Sequence, residues 1–386
     1  MIEMFYPVII FVFGAIAGSF LNVCIHRMPR ELSIVWPGSF CPKCKIPIPW
    51  YENIPLLSYL ILRGKCFRCR RPISFRYFFV ELLNAVSWLL IWRSCGLSAA
   101  FAIAAVFVSM MIVVTLTDLE TGFIPHGVTW TGMIFGVCVS VVNVRLVPQG
   151  LWYHKLLASV LGLVTGAATI FAVAELGKLL FGKRKVRLAP GTVITIKDNR
   201  LLIDQPGAPL ASRAGGVSGF FQRLADTLTR GQYLDPSCSS IAWDDIFNRS
   251  SDRIVFRAAT LRFAGGNFKD VEVEISEKSF RVAGKEHALA DAGVIEGRAE
   301  AMVLSREAMG FGDLCLMAMI GTFLGPWLTV LVFMFAPFIA LPYALFCRFA
   351  KKQETIPYGP FLAVMAVIFY FAGPEILDLF STLYGV

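Results

Sequence analysis

Two aspartates stand where carboxylates are seldom placed without reason. Asp118 closes the apolar run 98–116 and opens Asp118-Leu-Glu-Thr-Gly-Phe-Ile-Pro125, while Asp313 follows Gly310-Phe-Gly312 and opens the apolar run 314–346. Ionisable groups at membrane depth are costly and often functional. Two carboxylates sharing one site cannot both ionise easily, so one holds a proton and serves as acid while the other activates water. That is hydrolysis without a covalent intermediate, and its natural substrate is a peptide bond. Gly310 and Gly312 would let backbone approach an extended substrate closely. Pro125 would stop any helix after Asp118 from running on rigidly. Taken singly, either Asp is better explained as a helix cap at the water boundary, and Glu120 is a competing acid beside Asp118. The two together, with the cysteine pattern below, favour catalysis. Glu81, one turn inside another apolar run, is expected to face a basic group.

Of ten cysteines only four form a pattern. Cys41-Pro-Lys-Cys44 and Cys66-Phe-Arg-Cys69 are two CxxC knuckles, set slightly further apart than is usual for a four-thiolate zinc site. Paired knuckles suit tetrahedral zinc because each turn offers two sulfurs from one side. Lys43, Lys45, Lys65, Arg68 and Arg70 would favour thiolates. The competing reading is two disulfides or free thiols, and a cytoplasmic placement argues against disulfides. Four thiolates leave no open position, so the expected role of the zinc is structural. Cys24, Cys95, Cys138, Cys315 and Cys347 lie in or beside apolar runs, where cysteine behaves as a small hydrophobe; Cys238 has no assigned role.

The elements that must carry these groups are membrane helices. The 386-residue chain is 56% hydrophobic and only 16% charged, and a crossing takes roughly 20 mostly apolar residues. Candidate runs are 7–23, 77–92, 98–116, 128–147, 156–180, 314–346 and 361–380. The first has no basic stretch before it and no small-residue cleavage site after it, so it reads as a retained helix and not a signal peptide. Residues 27–76 hold ten basic residues against Glu31 and Glu52, most of the formal net charge of +9. Basic residues also follow the fifth run and precede the last. The positive-inside tendency then places these loops in the cytoplasm and both termini outside. The basic balance needs no nucleic-acid partner; it fits topology and anionic lipid. Equal sidedness of the termini demands an even number of crossings. The run 314–346 is roughly 50 Å of helix, short of two crossings of roughly 30 Å, and Gly325-Pro326 is its natural break. The expected fold is an all-α polytopic membrane protein of about eight transmembrane helices, with a cytoplasmic zinc-knuckle loop and an inserted β-rich cytoplasmic domain.

These residues resemble the type IV prepilin leader peptidases, GxGD-type membrane aspartyl proteases of bacteria. Gly18-Ser-Phe-Leu-Asn-Val23 looks like the family's opening motif. Cys41-Pro-Lys-Cys44, Ile48-Pro-Trp-Tyr-Glu-Asn-Ile-Pro-Leu-Leu-Ser58 and Arg63-Gly-Lys-Cys66 with Cys69 resemble its zinc loop, followed by Pro72-Ile-Ser-Phe-Arg-Tyr77 and Glu81. Asp118 with Ile124-Pro125 and Gly310-Phe-Gly-Asp313 are similar to its two catalytic motifs, and Ile356-Pro-Tyr-Gly-Pro360 to its last. The resemblance implies that Asp118 and Asp313 cleave the short basic leader of prepilins or pseudopilins after Gly, at the cytoplasmic face of the inner membrane. It also implies N-methylation of the new N-terminus with S-adenosylmethionine, for which the chain has no Gly-rich nucleotide fingerprint. Pilus or secretion assembly proteins are further partners it suggests. Two residues depart from the family pattern: Cys315 replaces a common Lys, and His126 replaces a common Asp.

The resemblance stops at residues 183–305, which hold about 18 basic and 15 acidic residues. Alternating runs at 192–197, 253–257 and 271–275 read as half-buried strands. Gly191, Asp198-Asn199 and Gly265-Gly-Asn267 read as turns, and 208–218 as a flexible loop. The competing reading is a disordered linker. The expected division is 1–27 first helix, 28–76 zinc loop, 77–182 helices with Asp118, 183–305 inserted domain, and 306–386 helices with Asp313. A transporter with proton-carrying aspartates would explain the acids and leave the cysteines unexplained. A zinc-bearing secretion scaffold would do the reverse.

Overall fold

The computed structural model describes residues 5–41, 43–143, 145–147, 150–181, 183–187, 192–197, 200–204, 239–242, 253–276, 278–289, 292–305, 309–351 and 357–384. The chain divides into a helical unit, with the helices up to Phe171 and from Gly312 onward, and a second unit that holds the strands.

The helical unit contains α1 (Tyr6–Arg27), the short α2 (Leu57–Ile61), α3 (Phe75–Cys95), α4 (Ala99–Thr121), α5 (His126–Val139), most of α6 (Trp152–Phe181), α7 (Phe311–Lys351) and α8 (Gly359–Tyr384). Five helices among the described residues are long and apolar enough to cross a membrane: α1, α3, α4, α6 and α7. α5 with its following turn and the first part of α8 are apolar but shorter. The break expected in the long run is present, since Gly325 has φ 75° and ψ 178° inside α7, directly before Pro326. The fourth apolar run ends earlier than expected. A 3-10 turn closes it at Val142, and the Asn143 side chain then accepts the Arg145 N–H at 3.1 Å, turning the chain.

Small residues let these helices approach. Gly14 and Gly18 of α1 lie against α3, where an added methyl would come within 2.8 Å of Ala85 Cα and 2.7 Å of Glu81 Cα. Gly132 and Gly136 of α5 meet Met319 and Thr322 of α7, and Gly162 and Gly166 of α6 meet the α7 backbone at Gly321 and Met317. Each pair is spaced four residues apart, the small-residue seam by which apolar helices pack closely. Buried polar groups pair across the same seams. Asn84 donates to Gly14 O at 2.8 Å, Ser109 donates to Asn84 Oδ1 at 2.8 Å, and Trp88 Nε1 donates to Ser109 Oγ at 3.0 Å. Phe107 of α4 packs on Phe323 of α7 (4.7 Å between ring centres) and on Tyr370 of α8 (5.0 Å). These contacts bind α4, α7 and α8 together, the three helices whose ends form the site below.

The sheet unit answers the expectation of a β-rich insertion. Among the described residues nine strands form one antiparallel sheet: β1 (Lys183–Arg187), β2 (Val193–Lys197), β3 (Arg200–Asp204), β4 (Ser239–Ala242), β5 (Ile254–Phe263), β6 (Gly266–Ile275), β7 (Ser279–Val282), β8 (Lys285–Ala288) and β9 (Ile295–Ser305). The order is β4-β3-β2-β9-β5-β6-β7-β8, with β1 beside the far end of β9. Ile254, Phe256 and Ala258 point inward in alternation; the register then shifts opposite β9, and Leu261 takes the next inward place. Such an extra residue moves every later side chain to the other face. The core is apolar, built from Ile194, Leu201, Phe256, Val273, Phe280 and Met302 among others. The turn joining β5 to β6 falls at Ala264–Gly265, and Gly266 and Asn267 of the turn expected at 265–267 already belong to β6. Gly191, Asp198-Asn199, residues 208–218 and Cys238 lie outside the described residues.

Candidate active site and metal centre

Asp118 sits in the last turn of α4. Gly122 ends that helix with φ 66°, a left-handed conformation that suits glycine, and its N–H closes on Asp118 O at 2.8 Å. The chain then runs through Ile124 to Pro125, which caps the start of α5. Asp118 is 5% exposed. Asp313 lies in the first turn of α7, where the helix dipole favours a negative charge. The fold brings these residues, far apart in sequence, near enough for the Asp313 charge to act on the Asp118 carboxyl.

The start of α8 completes the cluster. The Gly359 backbone lies against the Asp118 carboxyl: a methyl group on Gly359 would lie 2.5 Å from Asp118 Oδ2 and 3.1 Å from Ile124 Cδ1. On the other side Gly312 faces the same isoleucine, its added methyl falling 3.0 Å from Ile124 Cβ. Ile124 is thus a buried wedge between the glycines that open α7 and α8. Tyr358 is half-buried beside the pair; burial and the Asp313 charge push its phenol up to about 12. The Pro-Tyr-Gly-Pro stretch stands out in the sequence, but nothing there assigns Tyr358 or Gly359 a role. The available signal was a tyrosine and a glycine at the mouth of an apolar helix, and it says nothing about which acid they meet.

Neighbouring groups separate into other tasks. Glu120, the competing acid, is ion-paired with Arg76 at the start of α3. Glu81 accepts the Leu56 backbone N–H at 2.8 Å instead of facing a basic side chain. Cys315 is buried one turn into α7, and His126 opens α5 with its ring edge-on to Phe123 at 5.6 Å. Gly310 is exposed.

The four cysteines converge. The sulfurs of Cys41, Cys44, Cys66 and Cys69 all lie within 4.8 Å of one another and could hold a metal ion. The sulfurs of Cys41 and Cys69 stand 3.9 Å apart, far longer than a disulfide. Both knuckles fold alike. Cys41 N donates to Ile46 O and Lys45 N returns to Cys41 O (3.0 and 2.8 Å), while Cys66 N donates to Arg71 O and Arg70 N to Cys66 O (both 2.9 Å). Lys45 and Arg70, the equivalent residues, have φ of 61° and 57°. Burial raises the Cys41 thiol, but the Cys44 and Lys43 amides outweigh it and bring it down to about 7. At Cys69 the Arg71 amide pulls downward, yet desolvation and the three neighbouring thiols push it up to about 11. One thiolate forms readily and further ones resist, a conflict that a bound cation resolves.

Two family models match the chain: the bacterial peptidase A24 N-terminal domain over residues 12–95 and the type IV leader peptidase family over residues 286–345. A prepilin leader peptidase/N-methyltransferase of Klebsiella pneumoniae is 30% identical over 184 residues, covering 45% of this chain and 75% of that protein. One of Bacillus subtilis is 33% identical over 189 residues, covering 49% and 74%. The chain belongs to the prepilin leader peptidase family. The first family match contains the four cysteines and the second contains Asp313; Asp118 falls between them. A family member of Myxococcus xanthus is 42% identical over 135 residues, but that match spans 35% of this chain and only 40% of the relative's length. No solved structure matches the chain significantly.

Proposed function

We propose that this chain is a membrane aspartyl endopeptidase that removes the leader from prepilins or pseudopilins, with Asp118 and Asp313 as its catalytic pair. The observation that carries the reading is the meeting of these two acids at the ends of α4 and α7, beside Gly359 and Tyr358. In this mechanism the ionised carboxylate takes a proton from water as the water attacks the scissile carbonyl. The protonated partner hydrogen-bonds the carbonyl oxygen, and a proton then passes to the leaving amine. The Gly359 backbone packed against the Asp118 carboxyl limits its movement, so the pair need not reorganise during the reaction. Relatives named as leader peptidases and N-methyltransferases support the substrate class. Methyl transfer with S-adenosylmethionine rests on those names, and no residue of this chain is assigned to it.

The metal of the cysteine cluster is taken to be zinc in a structural role. Zinc–sulfur bonds of about 2.3 Å in a tetrahedron set the sulfurs about 3.8 Å apart, close to the 3.9 Å between Cys41 and Cys69. Eight crossings follow if α7 counts as two legs about Gly325 and if α5 and α8 also cross. The basic loop 28–76 and the insertion 183–305 then face the cytoplasm of a cell whose inner membrane holds the protein, with both termini outside. The direct test incubates the purified chain in detergent with a labelled short-leader prepilin. The expected result is a leader-sized shift; an uncleaved pilin, with a known peptidase active in parallel, would remove the reading. A transporter or scaffold would leave the pilin whole.

A further inference from the structure

The cysteine loop carries an exposed apolar stripe. Leu57, Leu60 and Ile61 of α2 are 50%, 61% and 69% exposed, and their spacing places them on one side of the helix. Ile54, just before, extends the stripe. The opposite side is fastened to α3: the Tyr59 ring packs on Phe78 at 5.4 Å and Phe75 at 6.3 Å, and Leu56 N–H donates to Glu81 Oε2 at 2.8 Å.

That fastening sets a depth. α3 has 21 residues, roughly 31 Å of helix against a hydrocarbon core of roughly 30 Å. Its apolar stretch, 77–92 between Arg76 and Arg93, has no length to spare, so Tyr77 marks the edge of the apolar layer. Glu81 is four residues further in, about 6 Å along the axis. A peptide bonded to Glu81 must lie at that depth, beside α3 and not above it. The backbone is prepared for such a place. Ile54 N–H reaches Ser58 Oγ at 2.8 Å, and the amides of Leu57, Ser58, Leu60 and Leu62 all donate to carbonyls of the same segment. Backbone groups satisfied within the segment are the condition for contact with hydrocarbon. Basic residues bracket the stripe, with Lys43 and Lys45 before it and Arg63, Lys65, Arg68, Arg70 and Arg71 after it. They match the anionic headgroups of a bacterial leaflet.

We propose that residues 54–61 are a re-entrant wedge, immersed in the leaflet that meets the start of α3, with lipid acyl chains covering Leu57, Leu60 and Ile61. Glu81 is then a positioning residue. It holds the wedge at depth by accepting the Leu56 amide, and thereby moors the cysteine cluster to the bilayer. The proposal rests on the membrane reading of α3.

The test places the photoreactive residue p-benzoylphenylalanine at Ile61 in the full chain. A probe at Leu161 on α6 serves as lipid control, and one at Glu286 on β8 as water control. The protein is reconstituted in nanodiscs of phosphatidylethanolamine and phosphatidylglycerol, irradiated, and its adducts are weighed. Ile61 should capture lipid to within about threefold of Leu161, and Glu286 should capture none. Adding Glu81→Leu, which removes the acceptor, should cut capture at Ile61 several-fold; Glu81→Gln, which keeps an acceptor, should restore it. Capture at Leu161 without capture at Ile61 would overturn the wedge and leave the membrane reading standing. Lipid at neither position would overturn both. If an added pilin peptide is captured at Ile61 in place of lipid, the stripe belongs to substrate and the proposal is wrong.

Discussion

The backbone of Gly359 lies against the carboxylate of Asp118, leaving no room for a side chain between them. A single methyl group there would come within 2.5 Å of Oδ2. Gly359→Ala should therefore displace the acid or the start of α8. Misplacing a reacting group by a fraction of an ångström to 1 Å costs up to about 100-fold in rate. The expected result is a 10- to 100-fold loss of kcat/KM on a prepilin substrate with protein yield little changed. Near-normal kcat/KM in this variant would contradict the placement of Asp118 in the reacting geometry.

Tyr358 should matter through its hydroxyl and not through its ionisation. Its phenol, held up to about 12 by burial and Asp313, stays protonated and able to donate throughout the working range. Tyr358→Phe should lower kcat about 100-fold, the low end of the range for one lost catalytic hydrogen bond, and leave both limbs of the pH profile in place. An alkaline limb below pH 10 that vanishes in the variant would show that the tyrosine titrates in the reaction.

Glu120 offers a check on the choice of acid. It is ion-paired with Arg76, so Glu120→Gln should act on stability and keep activity within a few-fold. Abolished cleavage with normal folding would move the catalytic assignment toward Glu120.

At the cysteine cluster, one metal ion per chain is expected by elemental analysis of the purified protein. Cys41→Ser removes the thiol that its backbone amides bring to about 7. It should lower metal content at least tenfold and make the loop more open to proteolysis. Unchanged metal content would mean that the ion is held elsewhere.

What could be read from the sequence was chemistry carried by local pattern. Two CxxC knuckles declare a thiolate cluster because each knuckle is a short self-contained turn, and the structure repeats one hydrogen-bond scheme in both. Apolar runs declare helices, and Gly325-Pro326 declares a break, for the same local reason. The alternating runs of the insertion appear as strands, but the register shift near Ala258 depends on how β9 pairs and has no local signature. The partners of the acids were likewise hidden. That Gly359 meets Asp118, that Ile124 wedges between Gly312 and Gly359, and that Glu81 holds a backbone amide all depend on how α4, α7, α8 and the cysteine loop pack. The seams that decide this packing are spaced glycines, whose partners cannot be named from one chain read end to end.

The central claim is that Asp118 and Asp313 act as one unit. Asp118→Asn and Asp313→Asn keep side-chain shape and remove ionisation. The decisive measurement is single-turnover cleavage of a labelled prepilin by each variant and by the double variant, all confirmed to be inserted in membranes. Each single change should reduce the rate by at least about 1,000-fold, and the double change should be no worse than either, because members of one catalytic unit are not additive. Substantial cleavage by either single variant, or losses that multiply in the double variant, would contradict the account.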